Sequence, residues 1–195
     1  MIALVDYGAG NISSVRKALE YLGADAQVTS DPAVIAAAQK IVVPGVGHFS
    51  RCQFLNQHLR APVLDAIGSG KPFLGICVGM QWLFAGSTEA PETPGAALFA
   101  GDCTRFPATV KSPHVGWNQI EVSNGSRLLQ GVSSGAFVYY THSYRAPVVA
   151  ETVACTNYGG AFSAAVERDN VFGVQFHPEK SAEAGLKILE NFCAL

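Results

Sequence analysis

A mostly parallel central sheet flanked by helices, joined to an antiparallel, strand-rich second half, is the α/β fold class this sequence predicts. Three observations carry it. Short buried apolar runs alternate with helical stripes from Met1 to Phe84, the pattern of βα units around a parallel sheet. From Val115 onward, alternating or aromatic runs separated by turn residues take over, which is the mark of strand-rich structure. No repeat, low-complexity stretch or linker interrupts the 195 residues. Residues 1–195 are therefore expected to form one domain.

The elements follow in order. Met1 to Tyr7 reads as a buried strand that turns at Asp6-Tyr-Gly-Ala-Gly-Asn11. Ile12, Val15, Leu19 and Leu22 then form one helical stripe stopped by Gly23. Gly8-Ala-Gly10 lacks the third glycine of a dinucleotide fingerprint, so no nucleotide is expected there. Ala26 to Thr29 is a short strand, and Asp31-Pro32 starts a helix as N-cap and first-turn proline. Lys40 to Val43 is a further buried strand, ending in the glycine-rich turn Pro44-Gly-Val-Gly-His-Phe49. Gln53 to Ile67 is mostly helical, with Pro62 bending or dividing it. Pro72 to Ile76 is a strand that passes directly into a helix carrying Met80, Leu83 and Phe84. Ala85 to Phe106 reads as a long loop, of the length that usually serves function. The second half holds strands over Val115–Val122, Ala136–Tyr144, Val148–Asn157, Ala161–Arg168 and Val171–Phe176. Asn157-Tyr-Gly-Gly160 makes a hairpin turn, and Leu186, Leu189 and Phe192 mark a closing helix.

Composition narrows the function classes. The net charge is −2 and no basic run exists, which argues against nucleic acid or a membrane surface as partner. No apolar run approaches membrane-spanning length. Met1-Ile-Ala-Leu-Val-Asp6 is a buried strand, not a secretion signal. Five scattered cysteines (52, 77, 103, 155 and 193) form neither a zinc pattern nor a disulfide framework, and point to a reducing cytoplasm. The chain is 49% hydrophobic and only 14% charged. Either a generous core or a surface covered by a partner accounts for that.

Two stretches carry chemistry. Gly75-Ile-Cys77-Val-Gly79 places a cysteine at a strand–helix junction between glycines, the thiol counterpart of the nucleophile elbow. Small neighbours let the chain bend, and the N-terminus of the following helix favours thiolate, the reactive form. Near the C-terminus, Gln175-Phe-His177-Pro-Glu179 ends an apolar run. Alternation along an extended chain puts His177 and Glu179 on one face, a base beside the carboxylate that orients it. A buried structural cysteine and a structural strand-end histidine are the bland readings of the separate pieces. Their joint presence favours catalysis.

These motifs resemble the triad signature of class I glutamine amidotransferases. Asp6–Asn11, Pro44–Phe49, Pro113-His-Val-Gly-Trp-Asn118, Tyr139-Tyr-Thr-His-Ser-Tyr144 and His177-Pro-Glu-Lys-Ser181 extend the likeness over essentially the whole chain. They are most similar to the branch that feeds ammonia to imidazole glycerol phosphate synthesis. The resemblance implies a flavodoxin-like fold and the triad Cys77, His177 and Glu179, with an oxyanion hole from the Val46 and Val78 N–H groups. It implies glutamine binding by Gly45, Gly47, Gln81, Glu89, Ser143 and Tyr144. It further implies docking on a separate (β/α)8 barrel cyclase through Trp117, Asn118, Tyr139 and Lys180, with no metal or organic cofactor. It also implies that the Val46 turn must reorient before the oxyanion hole is complete. Val78 stands where leucine is commoner, and Tyr140-Thr141 where a more apolar pair is usual. A sister amidotransferase serving another synthase, a γ-glutamyl hydrolase and a catalytically silent binding module are the competing readings.

Overall fold

The computed structural model describes residues 1–123 and 125–195. The first half is built of βα units: β1 (Ile2–Val5), α1 (Ile12–Tyr21), β2 (Ala26–Thr29), α2 (Pro32–Ala37) and β3 (Lys40–Val43). After α3 (Cys52–Phe54) and α4 (Arg60–Gly68), β4 (Phe73–Ile76) leads into the single-turn α5 (Val78–Gln81). β1 and β4 are buried at every position, as continuous apolar runs in a covered parallel sheet should be. Asp31 caps α2 by accepting the Ala33 N–H at 2.8 Å, as its position ahead of Pro32 predicts.

The second half contributes β5 (Gly86–Ser87), β6 (Asp102–Arg105), β7 (His114–Gln119), β8 (Glu121–Val122) and β9 (Phe137–His142). It continues through β10 (Tyr144–Arg145), β11 (Thr152–Asn157), β12 (Ala161–Arg168) and β13 (Val171–Val174) to α6 (Ala182–Ala194). Eight strands form the main sheet in the order β2-β1-β3-β4-β13-β12-β11-β8. β2 through β13 run parallel, and the remaining three pair antiparallel. β10-β6-β5 and β7-β9 make two small satellites. The predicted mixture of a parallel core with an antiparallel second half is what the chain adopts.

Several expected boundaries move, each for a local reason. The 53–67 helix is divided by a wider turn over Leu55–Leu59 that ends three residues before Pro62, the turn in which a proline's missing N–H leaves a carbonyl unpaired. The 85–106 segment is not all loop, because Gly86–Ser87 and Asp102–Cys103 pair side by side and close it on itself. The helix after Cys77 ends at Gln81 instead of reaching Phe84. The carbonyls just past its end are claimed by another segment: Ala96, Ala97, Leu98 and Phe99 donate N–H groups to Trp82, Phe84, Leu83 and Leu83. Gly95 packs so tightly there that a Cβ would lie 2.0 Å from the Phe84 carbonyl oxygen. The strand expected over 115–122 divides at the buried Ile120, leaving β7 and β8 in different sheets. The strand expected from Val148 begins at Thr152, whose N–H and hydroxyl close a turn on Val149.

Candidate active site

β3, β4 and β13 are adjacent and parallel, so their carboxyl ends lie together. There they deliver the Pro44–Gly47 turn, Cys77 and His177 to one edge of the sheet, where ligands bind in open α/β folds. Cys77 has φ +54° and ψ −105°, a conformation that costs a non-glycine residue energy and marks functional turns. Two hydrogen bonds hold it: its N–H donates to the Val174 carbonyl at 2.8 Å, and its carbonyl accepts the Gln81 N–H at 3.0 Å. The flanking glycines are required by close approach. A Cβ on Gly79 would lie 1.9 Å from the Val43 carbonyl oxygen, and one on Gly75 would lie 2.5 Å from that of Gly79.

His177 and Glu179 meet, though not by strand alternation. β13 stops at Val174, and Pro178–Lys180 coil into a 3₁₀ turn whose N-cap is His177. Nδ1 of His177 lies 2.8 Å from Oε1 of Glu179, with both side chains essentially buried. The Asn11 amide also donates to Oε1 of Glu179. His177 is fixed from behind, its N–H on the Tyr139 carbonyl at 2.8 Å and its carbonyl accepting the Ser181 hydroxyl at 2.6 Å. Nε2 is buried and has no partner among the described residues. Burial lowers the affinity of this ring for a proton. The charge and hydrogen-bonding capacity of Cys77, then those of Glu179, outweigh it and raise the pKa. The arrangement suits a ring that takes a proton from the thiol and holds it against a carboxylate.

The two predicted oxyanion donors are not aligned. The Val78 N–H donates to the Gly45 carbonyl at 3.4 Å. Because Gly45 C=O and Val46 N–H belong to one trans peptide, Val46 N–H points the opposite way. The turn is therefore oriented with a carbonyl, not a donor, toward the Val78 N–H. Tyr7 packs against it from beneath: a Cβ on Gly45 would lie 2.2 Å from the Tyr7 hydroxyl oxygen. That hydroxyl is buried and has no hydrogen-bond partner among the described residues.

A cavity of about 260 Å³ opens at this edge, lined among others by Gly47, Cys77, Val78, Gln81, Glu89 and Tyr144. Ser143 is also on its wall, whereas Gly45 and Val46 are not. Oε2 of Glu89 accepts the Phe49 N–H at 2.8 Å, which fixes the carboxylate at the cavity rim. Nε2 of Gln81 donates to the Tyr144 carbonyl at 2.8 Å and to Oε1 of Gln175 at 3.1 Å. Gln175 in turn donates its amide to the Cys77 sulfur at 3.7 Å. Of the four candidate docking residues, three are contiguous. Trp117 and Tyr139 are paired across β7-β9 with ring centroids 6.0 Å apart, and Nζ of Lys180 lies 5.8 Å from the Tyr139 ring. Val115, Trp117 and Phe137 are exposed along the same small sheet. Asn118 points to the opposite face of β7, where its amide bonds to His114.

Asn11, Gln175, Tyr7, His114 and His142 surround the site without having been singled out from the sequence. Gln175 left one usable signal, a polar residue inside a buried apolar strand run. No metal-binding cluster of His, Cys, Asp or Glu occurs among the described residues, and none of their helices is long and apolar enough to cross a membrane.

Comparison with known proteins agrees with this geometry. The family model described as glutamine amidotransferase class-I matches residues 3–195. Imidazole glycerol phosphate synthase subunit HisH of Syntrophotalea carbinolica is 47% identical over 203 aligned positions, covering 98% of each chain. The protein of the same name from Thermococcus kodakarensis is 48% identical, again over 98% of each chain. A crystal structure of a glutamine amidotransferase superposes with a TM-score of 0.78 at 18% identity, covering 100% of both chains. The glutaminase domain of Trypanosoma brucei CTPS with bound acivicin gives a TM-score of 0.68 at 17% identity, over 99% of this chain and 93% of that one.

Proposed function

This chain belongs to the glutamine amidotransferase class-I family, and from that premise we propose that it is the glutaminase subunit of an imidazole glycerol phosphate synthase, residues 1–195 acting as one catalytic unit. One observation carries the chemistry: a cysteine on a strained turn and a His–Glu pair stand at the ends of two hydrogen-bonded strands.

Glutamine enters the cavity with its carboxamide at Cys77. Gln81, Glu89, Ser143 and Tyr144 line its seat, with Gly47 at the turn. The thiolate adds to the carboxamide carbon, and the oxyanion that forms takes N–H donors from Val46 and Val78. His177 protonates the leaving ammonia, then removes a proton from water as that water cleaves the glutamyl thioester. Glu179 keeps the imidazole in its working tautomer and steadies its positive charge. The sequence calls for no metal or organic cofactor in these steps. Rotation of the Gly45–Val46 peptide must precede the first of them, because the Gly45 carbonyl now covers the Val78 donor. Slow hydrolysis by the chain alone follows from this.

Ammonia released into water would be protonated and lost, so a partner that receives it directly is part of the reading. The family resemblance makes that partner a (β/α)8 barrel cyclase forming imidazole glycerol phosphate and aminoimidazole carboxamide ribonucleotide. The exposed Trp117 and Lys180, with half-buried Tyr139 between them, support docking at this edge, Lys180 being next in sequence to Glu179. Both subunits would work in the cytoplasm. The test is glutamine hydrolysis measured with and without the cyclase and its nucleotide ligand. Hydrolysis that rises with both, and is absent in Cys77→Ala, is expected. Equal rates with and without the partner would overturn the coupling, and an active Cys77→Ala would overturn the nucleophile.

A further inference from the structure

A buried histidine pair behind the cavity has no part in the chemistry above. His114 is 4% and His142 6% exposed, and His142 lines the cavity itself. The pair belongs to one directed hydrogen-bond chain. Oδ1 of Asn118 accepts the Gln119 N–H at 2.8 Å, so the amide nitrogen faces Nε2 of His114, 3.3 Å away. Nε2 of His114 is then an acceptor, and the single proton of the neutral ring sits on Nδ1. Nδ1 of His114 lies 3.2 Å from Nε2 of His142, which makes that nitrogen an acceptor too. The proton of His142 is left on Nδ1, 2.9 Å from the Tyr144 carbonyl. That carbonyl is the one that also receives the Gln81 amide.

We propose that Asn118, His114 and His142 form a positioning relay that holds the Tyr144 carbonyl, and so the Ser143–Tyr144 wall and Gln81, in register for glutamine. This rests on the reading of the cavity as the glutamine site. Asn118 fixes the tautomer of His114, His114 fixes that of His142, and His142 presents its one donor to the wall. Each ring is neutral in this scheme. Burial acts in the same sense, lowering His114 to about 4 and His142 to about 3. Stacking supports the geometry, with His114 held between Tyr158 and Tyr140 at centroid distances of 4.0 and 4.8 Å. Among the described residues no hydrogen bond runs from the side chains of Asn118, His114 and His142 to the sulfur or to Glu179, so their part is positioning.

Two substitutions separate the two hydrogen bonds of His142. The amide of Asn occupies the position of Nδ1 and keeps the donor to Tyr144, whereas the longer Gln reaches the position of Nε2 and keeps only the His114 contact. The readout is inactivation at Cys77 by 6-diazo-5-oxo-L-norleucine, in the presence of the cyclase and its nucleotide ligand, resolved into KI and kinact. His142→Gln is expected to raise KI about tenfold with kinact little changed, the effect of one lost hydrogen bond to the wall. His142→Asn should restore KI to within about threefold of the parent. Equal KI values for the two variants, or a change confined to kinact, would overturn the relay. In the unmutated chain, imidazole ¹⁵N shifts should report both rings neutral and protonated at Nδ1 at pH 7. An Nε2–H tautomer at either ring would overturn the relay without reference to any variant. A parent chain that is saturably labelled while the variants behave alike refutes the relay alone. A parent chain that is never labelled refutes the glutamine site and the relay with it.

Discussion

The Asn11 amide and the His177 imidazole share one oxygen of Glu179, although 168 residues separate Asn11 from Glu179. Asn11, the residue that opens α1, therefore braces the carboxylate alongside the ring. A carboxylate held by two donors orients the imidazole and cannot rotate away while the ring becomes charged.

Glu179→Gln should lower kcat for glutamine hydrolysis by about 10²- to 10⁴-fold with KM little altered, since the carboxylate touches the base and not the substrate. Steady-state assays in the presence of the cyclase check it. An unchanged kcat would remove Glu179 from the machinery.

The elbow glycine Gly79 and the helix-end Gly68 make opposite predictions for the same change. Gly79→Ala drives a Cβ to 1.9 Å from the Val43 carbonyl oxygen and should cost at least 3 to 4 kcal/mol, on the order of the largest single-site effects, or prevent folding. Gly68→Ala meets nothing within 4 Å and should stabilise by roughly 0.5 kcal/mol. Urea unfolding midpoints measure both.

Tyr7→Phe removes a buried hydroxyl that lacks a partner among the described residues, so it should raise stability by about 1 kcal/mol. A loss of stability would show that the hydroxyl is hydrogen-bonded in solution.

Acid should weaken the fold through His114 and His142. Burial lowers both, to about 4 and about 3, while an unfolded histidine titrates near 6.5. Below about pH 6.5 the unfolded chain therefore binds protons that the folded chain refuses. Stability falls as pH drops from there toward 4, by about 1 kcal/mol per pH unit for each ring, and these rings contribute no slope above pH 7. His177, with its pKa raised, works in the opposite sense: its contribution is present below pH 6.5 and fades as pH rises through its folded value. Urea midpoints between pH 7 and 4.5 should fall less steeply for a His114→Gln/His142→Asn double variant. Parallel curves would refute the assignment.

Local pattern explains what the sequence could and could not reveal. The strand–helix junction at Cys77 was readable because its glycines lie two residues away on either side. His177 and Glu179 were readable as a pair, yet alternation was the wrong reason: the chain turns at Pro178 and the carboxylate folds back. Asn11 and Gln175 stood in quoted motifs without a role because their partners lie 168 and 98 residues distant, and such contacts leave no periodic trace. Asn118 was placed with Trp117 by family resemblance, which does not say that the two successive strand residues face opposite sides of β7. The Gly45–Val46 peptide shows the limit of motif reading. Its residue types announce an adjustable turn, and only three dimensions reveal which way it faces.

The 95–99 segment, which clasps the Trp82–Ala85 carbonyls, divides labour within the site. The sulfur's backbone is held from behind by Val174 and Gln81, so in the proposed reaction it is the opposite jaw, the turn at Gly45, that moves. On that proposal, control becomes a question of one peptide plane closing on a stationary target, and a loosened clasp at Gly95 would blur the aim of a nucleophile it never touches.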